Sequence, residues 1–129
     1  MGLWGSLFGS SRMNRNEYNA KVSQIIVEDY GVTPDSRVEP RFPGVMAYLE
    51  QIDYAYHENA SPEQAALRIM VMLFSGYKKS QSEKDSLDGD VLFGRIRANM
   101  RQYLADGVIH KEMYDTYAKA IKKHTGCII

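Results

Sequence analysis

Apolar side chains along most of this chain recur at intervals of three or four residues, the spacing that places them on one face of an α-helix. The clearest case is residues 65–74, an almost unbroken apolar run. Just before it, Ser61 is a typical N-cap, Pro62 suits the first helical position, and Gln64 is placed to complete a capping box. The sequence therefore predicts a buried helix over about 62–79.

The same periodicity predicts four more helices, and local signals indicate their ends. The first begins near Asn14 or Asn16 and ends before Gly31. The second spans about 44–58, the fourth ends at the turn Asp106-Gly107, and the fifth spans about 110–124. The apolar stripe of the fourth helix comprises Val91, Leu92, Ile96, Met100, Tyr103 and Leu104.

These elements predict an all-α fold, because no segment has the alternating pattern of a half-buried strand. We expect a single irregular bundle of four to five helices over 13–126. Its third helix should be central, with Ile69, Met70 and Leu73 buried. The 129 residues suffice for one domain with its own core. Residues 127–129 are expected to form a short C-terminal tail.

Residues 1–12 differ from the rest, since they contain three glycines and three serines. We expect a flexible N-terminal arm. In a helical conformation Leu3, Trp4, Leu7 and Phe8 share one face. Their burial would contribute about 1.5–3 kcal/mol each, but ordering the arm costs about 1–2 kcal/mol per residue. The arm is therefore expected to dock reversibly on a membrane, on a partner protein or on its own domain.

Charge and cysteine content limit the classes of function. Lys and Arg total 16, as do Asp and Glu, which argues against a dedicated nucleic-acid binder. Residues 14–64 carry nine acidic and four basic side chains, whereas residues 78–129 carry seven acidic and ten basic ones. This polarity is typical of two solvated faces, and it would also orient a partner or a second copy. The single cysteine, Cys127, fits a reducing compartment such as the cytoplasm.

The sequence contains no pattern typical of a catalytic, metal-binding or phosphate-binding site. His57, His110 and His124 lack the spacing of a zinc site. The acidic loop at 85–90 places lysine and arginine where an EF-hand needs carboxylates. No nucleophile elbow or phosphate-binding glycine loop is present. We predict no catalytic residues, no metal and no cofactor.

The sequence thus favours a non-enzymatic protein-interaction module, such as an adaptor, a regulator or an inhibitor of another protein. The alternative is a peripheral membrane protein that docks through its N-terminal arm, and a small hydrolase ranks last. The partner is expected to be another protein of unknown identity, with a membrane surface or a homo-oligomer as further options. The residues proposed for the partner surface are Arg41, Phe42, Tyr54, Tyr77, Arg97 and Arg101.

Overall fold

A computed structural model of the protein describes residues 13–32, 45–80 and 89–129, and within them it contains five α-helices and no strand. In chain order they are α1 (Arg15–Tyr30), α2 (Val45–His57), α3 (Pro62–Ser80), α4 (Gly89–Ala105) and α5 (Lys111–Thr125). The all-α prediction is confirmed, and each predicted helix is present with ends within a residue or two of those expected.

The ends of α1 and α5 follow the predicted capping signals. The side chain of Asn14 accepts a hydrogen bond from the backbone N–H of Glu17 at 2.9 Å. Gly31 and Gly126 close their helices in the left-handed region, with φ of 67° and 77°. Glycine adopts this conformation without the steric penalty of a Cβ.

The predicted capping box at the start of α3 is formed. Ser61 Oγ accepts from the Gln64 backbone N–H at 3.2 Å, and Gln64 Oε1 accepts from the Ser61 N–H at 3.1 Å. The other end of the same amide, Gln64 Nε2, donates to the Val108 carbonyl at 2.6 Å. One side chain therefore caps α3 and also binds the segment that leads into α5.

Helix α3 is the centre of the bundle. It contacts each of the other four helices, while α2 contacts only α1 and α3 among the helices described. Between residues 65 and 74, every side chain is buried except Arg68 and Met72. Ile69, Met70 and Leu73 have no exposed surface, so their predicted burial is confirmed.

The prediction for Val91 was wrong. It was placed on the buried stripe of α4, but 52% of its surface is exposed, whereas Leu92, Ile96 and Met100 are buried. Nine residues separate Val91 from Met100, and at about 100° per residue these two positions lie on opposite sides of the helix. Hydrophobicity alone does not place a residue at the end of a helix on its buried face.

The C-terminal residues pack on the bundle. Thr125 Oγ1 donates to the Ile121 carbonyl at 2.6 Å and accepts from the Cys127 backbone N–H at 3.1 Å. Cys127 and Ile129 lie partly buried against the core, while Ile128 is 70% exposed. Residues 127–129 are thus an extension of the α5 cap.

Candidate interaction surfaces

One side of the central helix is not fully covered. Gln64, Arg68, Met72 and Ser75, spaced by four, four and three residues, share one face of α3, and all are half-buried. This face lies between α2 and α5, which both contact α3 and, among the described residues, do not contact each other. We call the part of this face formed by Met72 and Ser75 the α3 opening.

Arg68 spans the gap between α2 and α5 at one end of the α3 opening. Its Nη2 lies 2.9 Å from Oε2 of Glu58, just after α2, and its guanidinium also faces the Tyr117 hydroxyl on α5. Burial acts to lower the pKa of Arg68, but the hydrogen bonds to Glu58 and Tyr117 outweigh it and the pKa is raised. Arg68 is therefore a permanent cation that holds α2 and α5 on either side of α3.

A second surface lies on the outer side of α4. Arg97 and Arg101 are one helical turn apart, and both are exposed. The guanidinium carbon of Arg97 lies 5.7 Å from the ring centroid of Phe93, within the range of a cation–π contact. Phe93 in turn stacks on the buried Phe74 with centroids 5.5 Å apart. We call Arg97 and Arg101 the arginine face; within the described ranges neither forms an ion pair.

Arg95, although close in sequence, has a different position. Its Nε lies 3.6 Å from where a Cβ on Gly31 would sit, at the C-terminal end of α1. One turn later Asn99 Nδ2 donates to the Asp29 carbonyl at 3.3 Å. A cation and an amide donor at the end of a helix stabilise its free carbonyl groups. The basic sequence of α4 therefore divides into a structural arginine and the two of the arginine face.

Two tyrosines join the start of α1 to α2 and to the turn that follows it. Tyr18 Oη donates to the Ala60 carbonyl at 2.9 Å, and Tyr56 Oη donates to the Met13 carbonyl at 3.0 Å. Their rings meet edge to face with centroids 5.1 Å apart. Beside them, Asp53 pairs with Arg15. These contacts fix the point at which residue 13 joins the bundle.

The structure brings together only part of the surface proposed from sequence. Arg97 and Arg101 are neighbours, as predicted, and Tyr54 is 55% exposed on α2. Among the described residues α2 and α4 both contact α3 but not each other, so Tyr54 does not share a surface with the arginines. The remaining predicted residues lie outside the part of the chain whose side chains are described: Leu3, Trp4, Leu7, Phe8, Arg41, Phe42 and Tyr77.

The described residues contain no group of three or more His, Cys, Asp or Glu side chains that would hold a metal ion. None of the helices found in them is long and apolar enough to cross a membrane. His57 lies 3.5 Å from Asp53 through its Nε2, and His110 occupies the N-cap of α5 without a side-chain hydrogen bond there. The histidines thus sit at helix ends, far apart in the chain.

Sequence reasoning missed the contacts of Arg68. The signal was present, since Arg68 is the single charged residue in the apolar run of α3. Its partners, Glu58 in the turn after α2 and Tyr117 on α5, lie outside α3, so the pattern within one helix does not indicate them. Comparison of the chain with protein-family models, curated proteins and solved structures finds no match.

Proposed function

We propose that this protein is a non-enzymatic interaction module that binds an acidic surface of another protein through the arginine face. The observation that carries the proposal is the pair Arg97 and Arg101, exposed on adjacent turns of α4 and without an ion pair to any described residue. Arginine is enriched at protein interfaces, where its planar guanidinium binds carboxylates in a bidentate manner.

Arg97 is supported in a way that favours binding. Its guanidinium rests over Phe93, and Phe93 stacks on Phe74, which is fully buried. A side chain held against a rigid aromatic support loses less conformational freedom when a partner arrives, so more of the interaction energy appears as affinity.

The second half of α5 is also positively charged. Residues 116–129 carry three lysines and no acidic side chain. These lysines, Lys119, Lys122 and Lys123, are all exposed. Cations near a helix C-terminus are stabilised by the helix dipole, and a region of one sign also steers an oppositely charged partner toward the surface. The single cysteine is compatible with a cytoplasmic partner.

The test compares protein capture by the wild type and by the double variant Arg97→Glu/Arg101→Glu. Immobilised protein is incubated with an extract of the source cells, and bound proteins are identified by mass spectrometry. We expect at least one acidic protein to be retained by the wild type, released by added salt, and lost with the double variant. The purified partner should then bind the wild type at least about tenfold more tightly than the variant, a difference of about 1.4 kcal/mol.

Lys21→Glu, at a half-buried position of α1, is the matched control because it makes the same kind of charge change on a different helix. Equal capture by all three proteins would refute the proposal. Anionic lipid vesicles are tested in parallel. Binding to vesicles that depends on Arg97 and Arg101, with no protein partner found, would instead support the membrane alternative.

A further inference from the structure

Gly94 lies in the interior of α4, where the described fold does not require a glycine. A glycine within a helix lowers stability relative to alanine, because it loses more backbone freedom on folding. Gly31, Gly107 and Gly126 have positive φ values, which favour glycine. Gly94 instead has a helical backbone, and a Cβ built on it meets no atom of the described residues within 4 Å. Neither backbone geometry nor a described neighbour therefore accounts for this glycine.

Gly94 lies on the outer side of α4, beside the arginine face. At about 100° per residue, its position is about 160° around the helix from the buried Ile96. Arg97 follows about one turn later and about 60° around the helix, and Arg101 follows about two turns later and about 20° around it. Residues 91–105 contain three arginines and no acidic residue. The glycine and the arginine face therefore share one basic side of α4.

We propose that the partner contacts the arginine face through an acidic α-helix, and that Gly94 is the point at which the backbones of the two helices come closest. This inference rests on the function proposed above and names the structural class of the partner segment. The segment carries two carboxylates about one helical turn apart, because Arg97 and Arg101 are separated by about 6 Å along α4. Charge complementarity then pairs each carboxylate with one guanidinium.

A helix fits this surface better than an extended segment does. It satisfies its own backbone hydrogen bonds, whereas an extended chain packed on α4 would need partners for its N–H and C=O groups. The described elements are all helices and offer no strand edge to supply them. Packed helices lie about 8–10 Å apart, depending on the side chains at the contact, and a glycine allows the shorter distance. A side chain at position 94 would move the partner outward and lengthen both ion pairs.

NMR titration of the full chain labelled with ¹⁵N tests the proposal. The probe is an alanine-rich synthetic peptide of about 20 residues, long enough to form a helix in water. It carries glutamates four positions apart, and the control peptide carries glutamines instead. We expect only the acidic peptide to shift the Nε–H signals of Arg97 and Arg101. Gly94→Leu should weaken binding about tenfold or more, and Gly94→Ala should weaken it less, because the added side chain holds the two helices apart.

The same variants separate binding from folding. Gly94→Ala should raise the ratio of folded to unfolded protein about fivefold in urea titrations, because alanine favours a helix interior. Ala20→Gly, at an exposed position of α1, is the matched control. It should lower this ratio by a similar factor and leave peptide binding unchanged. A variant that is more stable than the wild type and binds less tightly does not lose binding through unfolding.

The variant Arg97→Glu/Arg101→Glu distinguishes failure of this inference from failure of the proposed function. If Gly94→Leu binds the acidic peptide as the wild type does while the arginine variant does not, this inference is overturned and the proposed function stands. If the arginine variant binds as the wild type does, both are overturned. The inference also fails if the wild type does not bind the acidic peptide, or if Gly94→Ala is less stable than the wild type. In these two cases the capture experiment decides the proposed function.

Discussion

Tyr30 and Tyr103 place two hydroxyl groups inside the core. Their side chains are 2% and 7% exposed. The hydroxyls face each other, but neither completes a hydrogen bond of good geometry with the described residues. Burial raises the pKa of Tyr30 well above its ordinary value, with Tyr103 and Asp29 adding to the effect, and burial also raises the pKa of Tyr103. At a pH that ionises both tyrosines in the unfolded protein, they therefore remain neutral in the folded protein.

This difference predicts a loss of stability in alkaline solution. A group with a raised pKa in the folded state favours folding below its unfolded pKa, which for tyrosine is about 10, and this contribution falls as the pH rises further. Above about pH 10, the free energy of unfolding should fall by about 1.4 kcal/mol less per pH unit in Tyr30→Phe than in the wild type. Urea unfolding at pH 8 and pH 11 measures it. Tyr54→Phe, at an exposed ring, is the control, and an unchanged alkaline loss in Tyr30→Phe would contradict the assignment.

At this scale the helical spacing of Tyr30 with Ile26, and of Tyr103 with Met100, is enough to place both rings on the buried stripes of their own helices. It could not indicate that they meet, since more than seventy residues separate them. The same limit applies to Arg68, whose partners lie in the turn after α2 and on α5. Side-chain pairs between helices depend on the packing of the whole bundle, which periodicity within one segment does not encode.

Among the helices, α3 best shows how local signals specify an element. Its capping box was predictable because the interacting groups lie within three residues of each other. Its contact with the segment that leads into α5 was not predictable. There Gln64 Nε2 donates to the Val108 carbonyl at 2.6 Å, and the two residues are 44 positions apart in the chain. The prediction for Val91 was wrong for a different reason. Val91, near the start of α4, is hydrophobic like the residues of the stripe, but its angular position around the helix places it on another side.

Two variants separate the roles of this amide. Gln64→Glu keeps an acceptor for the Ser61 N–H but replaces the donor to Val108 with a carboxylate oxygen, and we expect it to cost about 1–3 kcal/mol of unfolding free energy. Ser61→Ala removes only half of the cap and should cost about 1 kcal/mol. Urea unfolding at pH 7 provides both values. If Gln64→Glu is as stable as the wild type, the contact with Val108 contributes nothing to stability.

The whole molecule is organised around α3, and this arrangement was predictable in part. A long run of apolar residues with one charged interruption indicates a helix covered on nearly all sides. Which helices cover it, and where coverage stops, depends on interhelical geometry. The α3 opening and the separation of Tyr54 from the arginine face could therefore not be predicted from the sequence.

The central position of α3 predicts a sharp contrast between two adjacent residues. Leu73→Ala creates a cavity among fully buried side chains and should cost about 2–5 kcal/mol. Met72→Ala acts on a half-buried side chain at the edge of the opening, and should cost less than half as much. Thermal unfolding followed by circular dichroism measures both. Equal losses would mean that Met72 is covered as completely as Leu73.

The hydrogen bond from Tyr56 to the Met13 carbonyl holds residue 13 at a fixed point beside the last turn of α2. A binding group joined to the chain at that point by a short flexible linker would stay near the bundle at an effective concentration in the millimolar range. Residue 13 is therefore a position from which an added ligand or probe would contact the bundle even when its affinity is too weak to join two separate molecules.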